Sequence, residues 1–420
     1  MLRTERVRGR CPKPVALAPI ALALAALALA SGCAPRELSP EELAKQLQTR
    51  LIEAQPGDVI EIPEGTYELT RSLSLTVDGV TIRGAGMDKT VLSFANQTQG
   101  AEGLLVSASD FTIEDLAIED TRGDALKVNE GENIVLRRVR AEWTRGPSTE
   151  NGSYGLYPVQ TENVLIEECV AIAASDAGIY VGQSKNVVVR NNRAEYNVAG
   201  IEIENTVGAD VYGNVVTHNT GGILVFNMPD LPQEGHSTRV FDNRIVANNT
   251  ENFAPEGTAV RSVLAGSGVV ITANDRVEVF GNRIADNQTA NIVIASNYST
   301  GYADREAVAG YDPYPETIYI YGNEFEGGGE APAMAELEQL RVAMFGEEGR
   351  LPDVLWDGFL DAAKAAADGS AAGAAICVDN GEAVLLNVDA PNQFQSPSVD
   401  MAPHTCSHEK LPAITLAGIT

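Results

Sequence analysis

Four side chains able to move or hold a proton recur at one step of a short repeat: Lys127, Tyr157, Tyr180 and Glu202. Tyr180 and Glu202 take the same place in Ala177-Gly178-Ile179-Tyr180-Val181 and Ala199-Gly200-Ile201-Glu202-Ile203, and Leu224 takes it in Gly221-Gly222-Ile223-Leu224-Val225. Removing a proton beside a carboxylate needs a base, and a cation or arginine to hold the charge that develops. Glu202, or a tyrosine of lowered pKa, is the candidate base, and Lys127 the candidate cation. Two positions along the same strands come Gly182, Glu204 and Phe226, which adds Glu204 as a ligand-binding candidate. Asp176, just before the tight turn at Gly178, is a further ligand-binding candidate, with turn capping its simpler role. The simpler role for the column is a solvated ladder of outward side chains, so Glu202→Ala is expected to leave the fold intact. A surface ion pair is the simpler role of Lys127, contributing ~0–1 kcal/mol.

These residues need an element that repeats. Gly178, Gly200 and Gly222 are each 22 residues apart, and Asn192 and Asn214 keep the same interval. Strands of similar type begin at Asn133, Asn163 and Asn186, and later ones end in Asp242-Asn243, Gly281-Asn282 and Gly322-Asn323. Short runs of alternating β-branched residues between Asn, Asp and Gly turns make strands, and a fixed short period makes stacked coils. From about residue 56 to residue 326 no helix-length amphipathic segment interrupts them, which excludes a βαβ fold and predicts a solenoid of parallel strands. Asn192, Asn214, Asn243, Asn282 and Asn323 then share one corner as an amide ladder, with Cys169 a small buried member of the column.

Insertions fall on both borders of the sheet that carries the candidate residues. Residues 144–153 and 249–266 precede its strands, and residues 227–238 and 298–316 follow them. Overhanging loops on parallel strands about 4.8 Å apart predict a trough for an extended polymer crossing the coils. Asn205, Asn227, Tyr298 and Arg305 are the polar and aromatic groups expected to bind ligand from its borders. A second outward column, Tyr212, Phe241, Phe280 and Tyr321, demands cover, most simply from the C-terminal segment. For the basic run Arg137, Arg138, Arg140 and Arg145, pairing with neighbouring acids is the simpler expectation.

The two ends read differently. Five basic residues precede an uncharged apolar run from Val15 to Ala30, followed by Ser31-Gly32-Cys33. This resembles a bacterial lipoprotein signal, so residues 1–32 are expected to be removed and Cys33 lipidated. Residues 33–55 are expected to form a tether and capping helix, with Ser39 as N-cap, Pro40 at the first position and Leu43, Leu47, Leu51 and Ile52 as its apolar stripe. Residues 329–420 are expected to form a small α/β cap, with helices in the Ala-, Glu- and Leu-rich stretch 332–369, and Cys377 and Cys406 to form a disulfide in an oxidising compartment. The whole chain carries a net charge of −28, and 25 Lys+Arg against 57 Asp+Glu remain after residue 32. Such a field disfavours nucleic acid and anionic lipid headgroups.

Over about residues 56–326 the coils and the Asn column resemble right-handed parallel β-helix repeat proteins of the pectin-lyase-like superfamily: an all-β right-handed solenoid, here residues 56–328. Stretches such as Tyr154-Gly155-Leu156-Tyr157-Pro158-Val159 and Tyr311-Asp312-Pro313-Tyr314-Pro315-Glu316 more narrowly resemble a family of exported bacterial β-helix lipoproteins, whose members commonly occur beside a second exported protein. The wider resemblance implies polysaccharide chemistry. The Asn-Thr-Asp, Asp-Asp and Gly-His-Gly motifs of its glycoside hydrolase branch are absent, as is the Asp-Pro-His-Asp motif of its alginate epimerase branch.

Other chemistries lack a starting set. There is no phosphate loop, haem motif or Gly-x-Ser-x-Gly elbow. His404-Thr405-Cys406-Ser407-His408 has metal-ligand spacing, but Cys406 is claimed by the disulfide and no metal site is assigned. Calcium on Asp and Glu columns stays open. Two functions remain: a cell-envelope protein, outer-membrane or periplasmic, that binds polysaccharide or a second exported protein along one sheet; or a lyase or C5-epimerase acting on uronate-containing glycans.

Overall fold

The computed structural model describes residues 40–364 and 371–419, so the export signal, Cys33, the tether and the Ser39 cap lie outside the described residues. The first element is the helix Pro40–Glu53. It lays Leu47 and Leu51 against the first coils, whereas Ile52 is 68% exposed. Residues four apart share a helix face and adjacent ones do not, which removes Ile52 from the expected stripe.

From Val59 the chain winds as a parallel β-helix with three faces, every strand pairing in parallel with its equivalent one coil on. The first face holds eleven strands, among them Leu126–Asn129, Tyr154–Val159, Ala177–Gly182, Ala199–Glu204, Gly221–Phe226, Ser267–Thr272 and Ala290–Ala295. The second holds strands such as Lys185–Arg190, Val207–Tyr212, His236–Phe241 and Asp275–Phe280, and the third short strands such as Arg193–Glu195 and Val215–Thr217. Two early strands, Thr112–Glu119 and Glu132–Glu142, run unbroken across the second and third faces, bending at Asp115 and Arg138, whose φ values are 61° and 49°. Inward residues of equivalent strands, such as Ile179, Ile201, Ile223, Val269 and Ile292, stack fully buried in one core.

The corners are held by side-chain hydrogen bonds. At the corner between the second and third faces Asn192, Asn214, Asn243, Asn282 and Asn323 pass Nδ2–H to Oδ1 from coil to coil at 2.9–3.0 Å, and the Cys169 amide donates to Asn192 Oδ1 at its head, as the sequence predicts. At the next corner stands a second ladder that the sequence reading missed: Asn197, Asn219, Asn248 and Asn287. It explains the 22-residue glycines. A Cβ on Gly178 would come within 2.6 Å of Asn197 Nδ2, and one on Gly200 within 2.9 Å of Asn219 Nδ2.

Past residue 328, where the solenoid is expected to end, the strands Val354–Trp356, Ile376–Asp379 and Leu385–Asn387 still pair in register with the coils. Strands of three or four residues carry too little periodicity to be read, so the region looks like a separate cap. The helix Ala335–Phe345 is an insertion in a coil. The expected Cys377–Cys406 disulfide is formed and ties the last strand of the second face to the terminal segment. That segment runs back over the outward column: the Leu411 and Ile414 amides donate to Glu278 and Asp210, and Lys410 stands over Tyr321. Ile414, Leu416 and Ile419 pack with Tyr212, Val135, Leu165 and Val188. Three members of the basic run are paired as expected, Arg137 with Glu167, Arg138 with Asp115, and Arg140 with Glu119 and Glu142.

Candidate functional site

Strand register on the first face sets Lys127, Tyr157, Tyr180, Glu202 and Leu224 side by side, and Gly182, Glu204 and Phe226 beside them, as the repeat predicts. Their surroundings are not those expected. Tyr180 is 3% exposed and Glu202 1%, so the column is no solvated ladder and the trough is not open. The inserted loops fold inward: Met228, Ala254, Val260 and Tyr302 form an apolar cluster with Tyr180, Leu224 and Phe226. The loops were read as rims because their polar residues are visible in sequence, whereas their apolar residues are the ones that find the sheet.

What remains is a recess of about 230 Å³, lined by Tyr154, Asp176, Glu202 and Glu204 from the sheet and by Asp230, Val260 and Arg305 from the loops. Tyr180 donates its hydroxyl to Glu204 Oε1 at 2.6 Å. Gly182 makes this bond sterically feasible, because a Cβ there would stand 2.2 Å from the Tyr180 oxygen. Asp176 Oδ1 and Glu202 Oε2 are buried without a hydrogen-bond partner.

Burial dominates the electrostatics, because ionising one carboxyl here means charging a dry site already flanked by others. Asp176 is pushed up to about 8 by burial and then by Glu204. Glu204 is pushed up to about 7 by burial, with the Tyr180 hydrogen bond opposing. Glu202 is raised well above the usual carboxylate range by burial, then by Asp176 and Glu204. Asp124, on the coil of Lys127, reaches about 6. Tyr154, Tyr157 and Tyr180 are raised too, again by burial first, so none is the tyrosine base that the sequence allows. Their rings touch, with centroids 4.5–4.8 Å apart.

The remaining candidates separate into those near the recess and those that build its walls. The Lys127 ammonium stands 4.7 Å from the centre of the Tyr157 ring, a cation–π contact in place of the expected ion pair. Arg305 is at the recess, 3.4 Å from Asp230. Asn205 clamps a loop, with Nδ2 donating to the Met228 and Gln233 carbonyls and Oδ1 accepting from the Met228 amide. Asn227 does the same through Gly235 and Ala273. Both side chains are spent on backbone, which corrects their reading as ligand groups. Tyr298, half exposed, packs against Tyr314 and Phe359 away from the carboxyls. Sequence reasoning missed Tyr154 and Asp124. The column that Tyr154 heads continues as Ala177, Ala199 and Gly221, and that run of small residues beside the acids is the signal that could have found the recess.

Among the described residues, Asp275, Asp312 and Glu316 bring ligand atoms within 4.8 Å of one another. The Lys364 ammonium bonds Asp312 at 2.9 Å and Glu316 at 2.7 Å, which places a cation there already. His404 and His408 direct ring nitrogens at the Ile376 and Ala375 carbonyls.

The family model described as "Right handed beta helix region" matches residues 69–231. No curated protein matches the sequence. Solved structures with a similar course include the A-module of a mannuronan C-5 epimerase of Azotobacter vinelandii, 19% identical, covering 72% of this chain and 82% of that one with a TM-score of 0.45. Another is an alginate lyase of Paenibacillus sp., 17% identical, covering 68% and 96% with a TM-score of 0.38. The strand pairing and the matched region together describe a right-handed parallel β-helix, the hand that parallel crossovers favour.

Proposed function

We propose that the protein binds a glycan at the roofed recess of its first face and acts on it by acid–base chemistry. One observation carries this reading: Asp176 Oδ1 and Glu202 Oε2 are buried acceptors without partners, which sugar hydroxyls would satisfy. Leaving such atoms unpaired costs about 1–3 kcal/mol each, an expense more often met at functional sites than in walls. The recess, about 230 Å³, admits the end or one ring of a chain rather than a polymer lying along the sheet.

Glu202, held protonated, is the donor, giving its proton to the leaving glycosidic oxygen as the C–O bond breaks. Glu204, lowered relative to its neighbours by the Tyr180 hydrogen bond, takes a proton from the attacking water. A recess rich in carboxyls suits neutral or amino sugars. Action on a uronate by a lyase or epimerase is the second reading, favoured by Arg305 at the lining. The protein would do this in the cell envelope, exported and anchored through Cys33, with a second exported protein as a further partner. The Cys377–Cys406 disulfide suits that compartment.

The test is incubation with neutral, amino and uronate polysaccharides, following chain length and sugar composition by mass spectrometry. Turnover is expected on a neutral or amino polymer, with Glu202→Gln lowering it by about 10²–10⁴ while binding persists. Turnover confined to uronates would move the assignment to the second reading. Binding without turnover in wild type would remove the chemistry, and no binding would remove the site.

A further inference from the structure

We infer that the same face holds a second binding site, for a linear alkyl chain with an uncharged head. One coil beyond Glu202 the outward column turns apolar, reading Leu224, Val270, Val293 and Leu355. The segment around Val260–Leu264, Tyr302 and the start of the helix Ala335–Phe345 cross over this column without filling the space above it, leaving a cavity of about 360 Å³. That volume is within the roughly 300–1,000 Å³ of small-molecule sites.

Of the polar groups at its wall the Trp356 indole N–H is buried without a partner, whereas the carboxylate and the serine and threonine hydroxyls named next are committed. Asp357 accepts from the Ser296 amide and hydroxyl, the Ser299 hydroxyl and the Phe359 amide. The hydroxyls of Ser262, Ser267 and Thr300 donate to the carbonyls of Ala259, Leu264 and Asn297. A buried water needs about 2–4 hydrogen bonds, so a space that offers the single free Trp356 donor favours a largely apolar guest with one acceptor over water. Its shape narrows the guest. Four successive coils about 4.8 Å apart make a floor roughly 14 Å long, suited to an extended chain rather than a compact ring system. The chain's net charge of −28 disfavours an anionic head, which selects an alcohol or ester over a free fatty acid. This site does not rest on the glycan reading, because the carboxyls of the recess take no part in it.

Trp356 lines the cavity and Trp143, the other tryptophan, does not. Titrating the purified full chain with 10-bromodecanol is expected to quench part of the tryptophan emission saturably, and unbrominated decanol to reverse it. Filling the floor with Val270→Phe and Val293→Phe together is expected to weaken binding at least tenfold in a variant that keeps its cooperative melt. Quenching that does not saturate, or equal affinity in the folded double variant, would overturn the site. Should the double variant not fold, the wild-type competition decides, and failure of decanol to displace the probe overturns it equally.

Discussion

At the residue scale the protein concentrates its strain in three carboxyls. Asp176, Glu202 and Glu204 keep protons in the folded chain that the unfolded chain releases near pH 4, because burial and mutual repulsion disfavour their charged forms. The folded state therefore binds more protons than the unfolded state from about pH 4 up to the value of about 8 reached by Asp176, and stability falls as pH rises through that window. Chemical denaturation at pH 5 and pH 8 is expected to show a loss of several kcal/mol, on the order of 5, over that range. In Asp176→Asn, which cannot ionise, the loss is expected to shrink and stability at pH 8 to rise. A wild-type stability independent of pH would mean that the recess admits enough water to ionise freely. The same burial corrects the expectation that Glu202→Ala is harmless: an isosteric Gln keeps the volume, whereas Ala would leave a void.

At the element scale each corner is an array of amides satisfying one another. Asn219 is fully buried: its Oδ1 accepts from the amide and side chain of Asn197, and its Nδ2 donates to Ala194, Thr217 and Asn248. Replacing it by Ala would strand donors on two coils, and a cost of about 2–4 kcal/mol is expected in urea unfolding. Asn205→Ala, which frees only the loop after Phe226, is expected to cost less and to act mainly on ligand binding. Equal costs would show that the loop clamp is part of the solenoid's own stability.

At the scale of the whole molecule, coils stacked in one direction leave outward columns that something must cover. The rings of Tyr212, Phe241, Phe280 and Tyr321 stack with centroids 4.7–4.9 Å apart, and the terminal segment after the disulfide lies against this column. Ending the chain after Glu409 removes Lys410, Leu411 and Ile414 together. The truncated protein is expected to melt several degrees lower and to self-associate in sedimentation through the bared stack, with its far-ultraviolet spectrum unchanged. A monomer of unchanged melting temperature would reduce the segment to decoration.

Local chemistry made most of the scaffold readable. A 22-residue recurrence of glycine and asparagine dictates stacked coils, one column of amides and the register that aligns Tyr157, Tyr180 and Glu202, because each coil repeats the same turn. The need to cover an aromatic column was legible for the same reason, and the pairing of Cys377 with Cys406 was legible from their place outside the coils in an oxidising compartment. Only the tertiary structure decided whether that aligned column faces water. The answer depends on where Met228, Val260 and Tyr302 land, contacts between loops and sheet that no period encodes. Burial by those loops turns an outward row of ordinary acids into neutral carboxyls with unpaired oxygens, and leaves an apolar cavity one coil further on. Register follows from the repeat; dielectric environment follows from the fold around it.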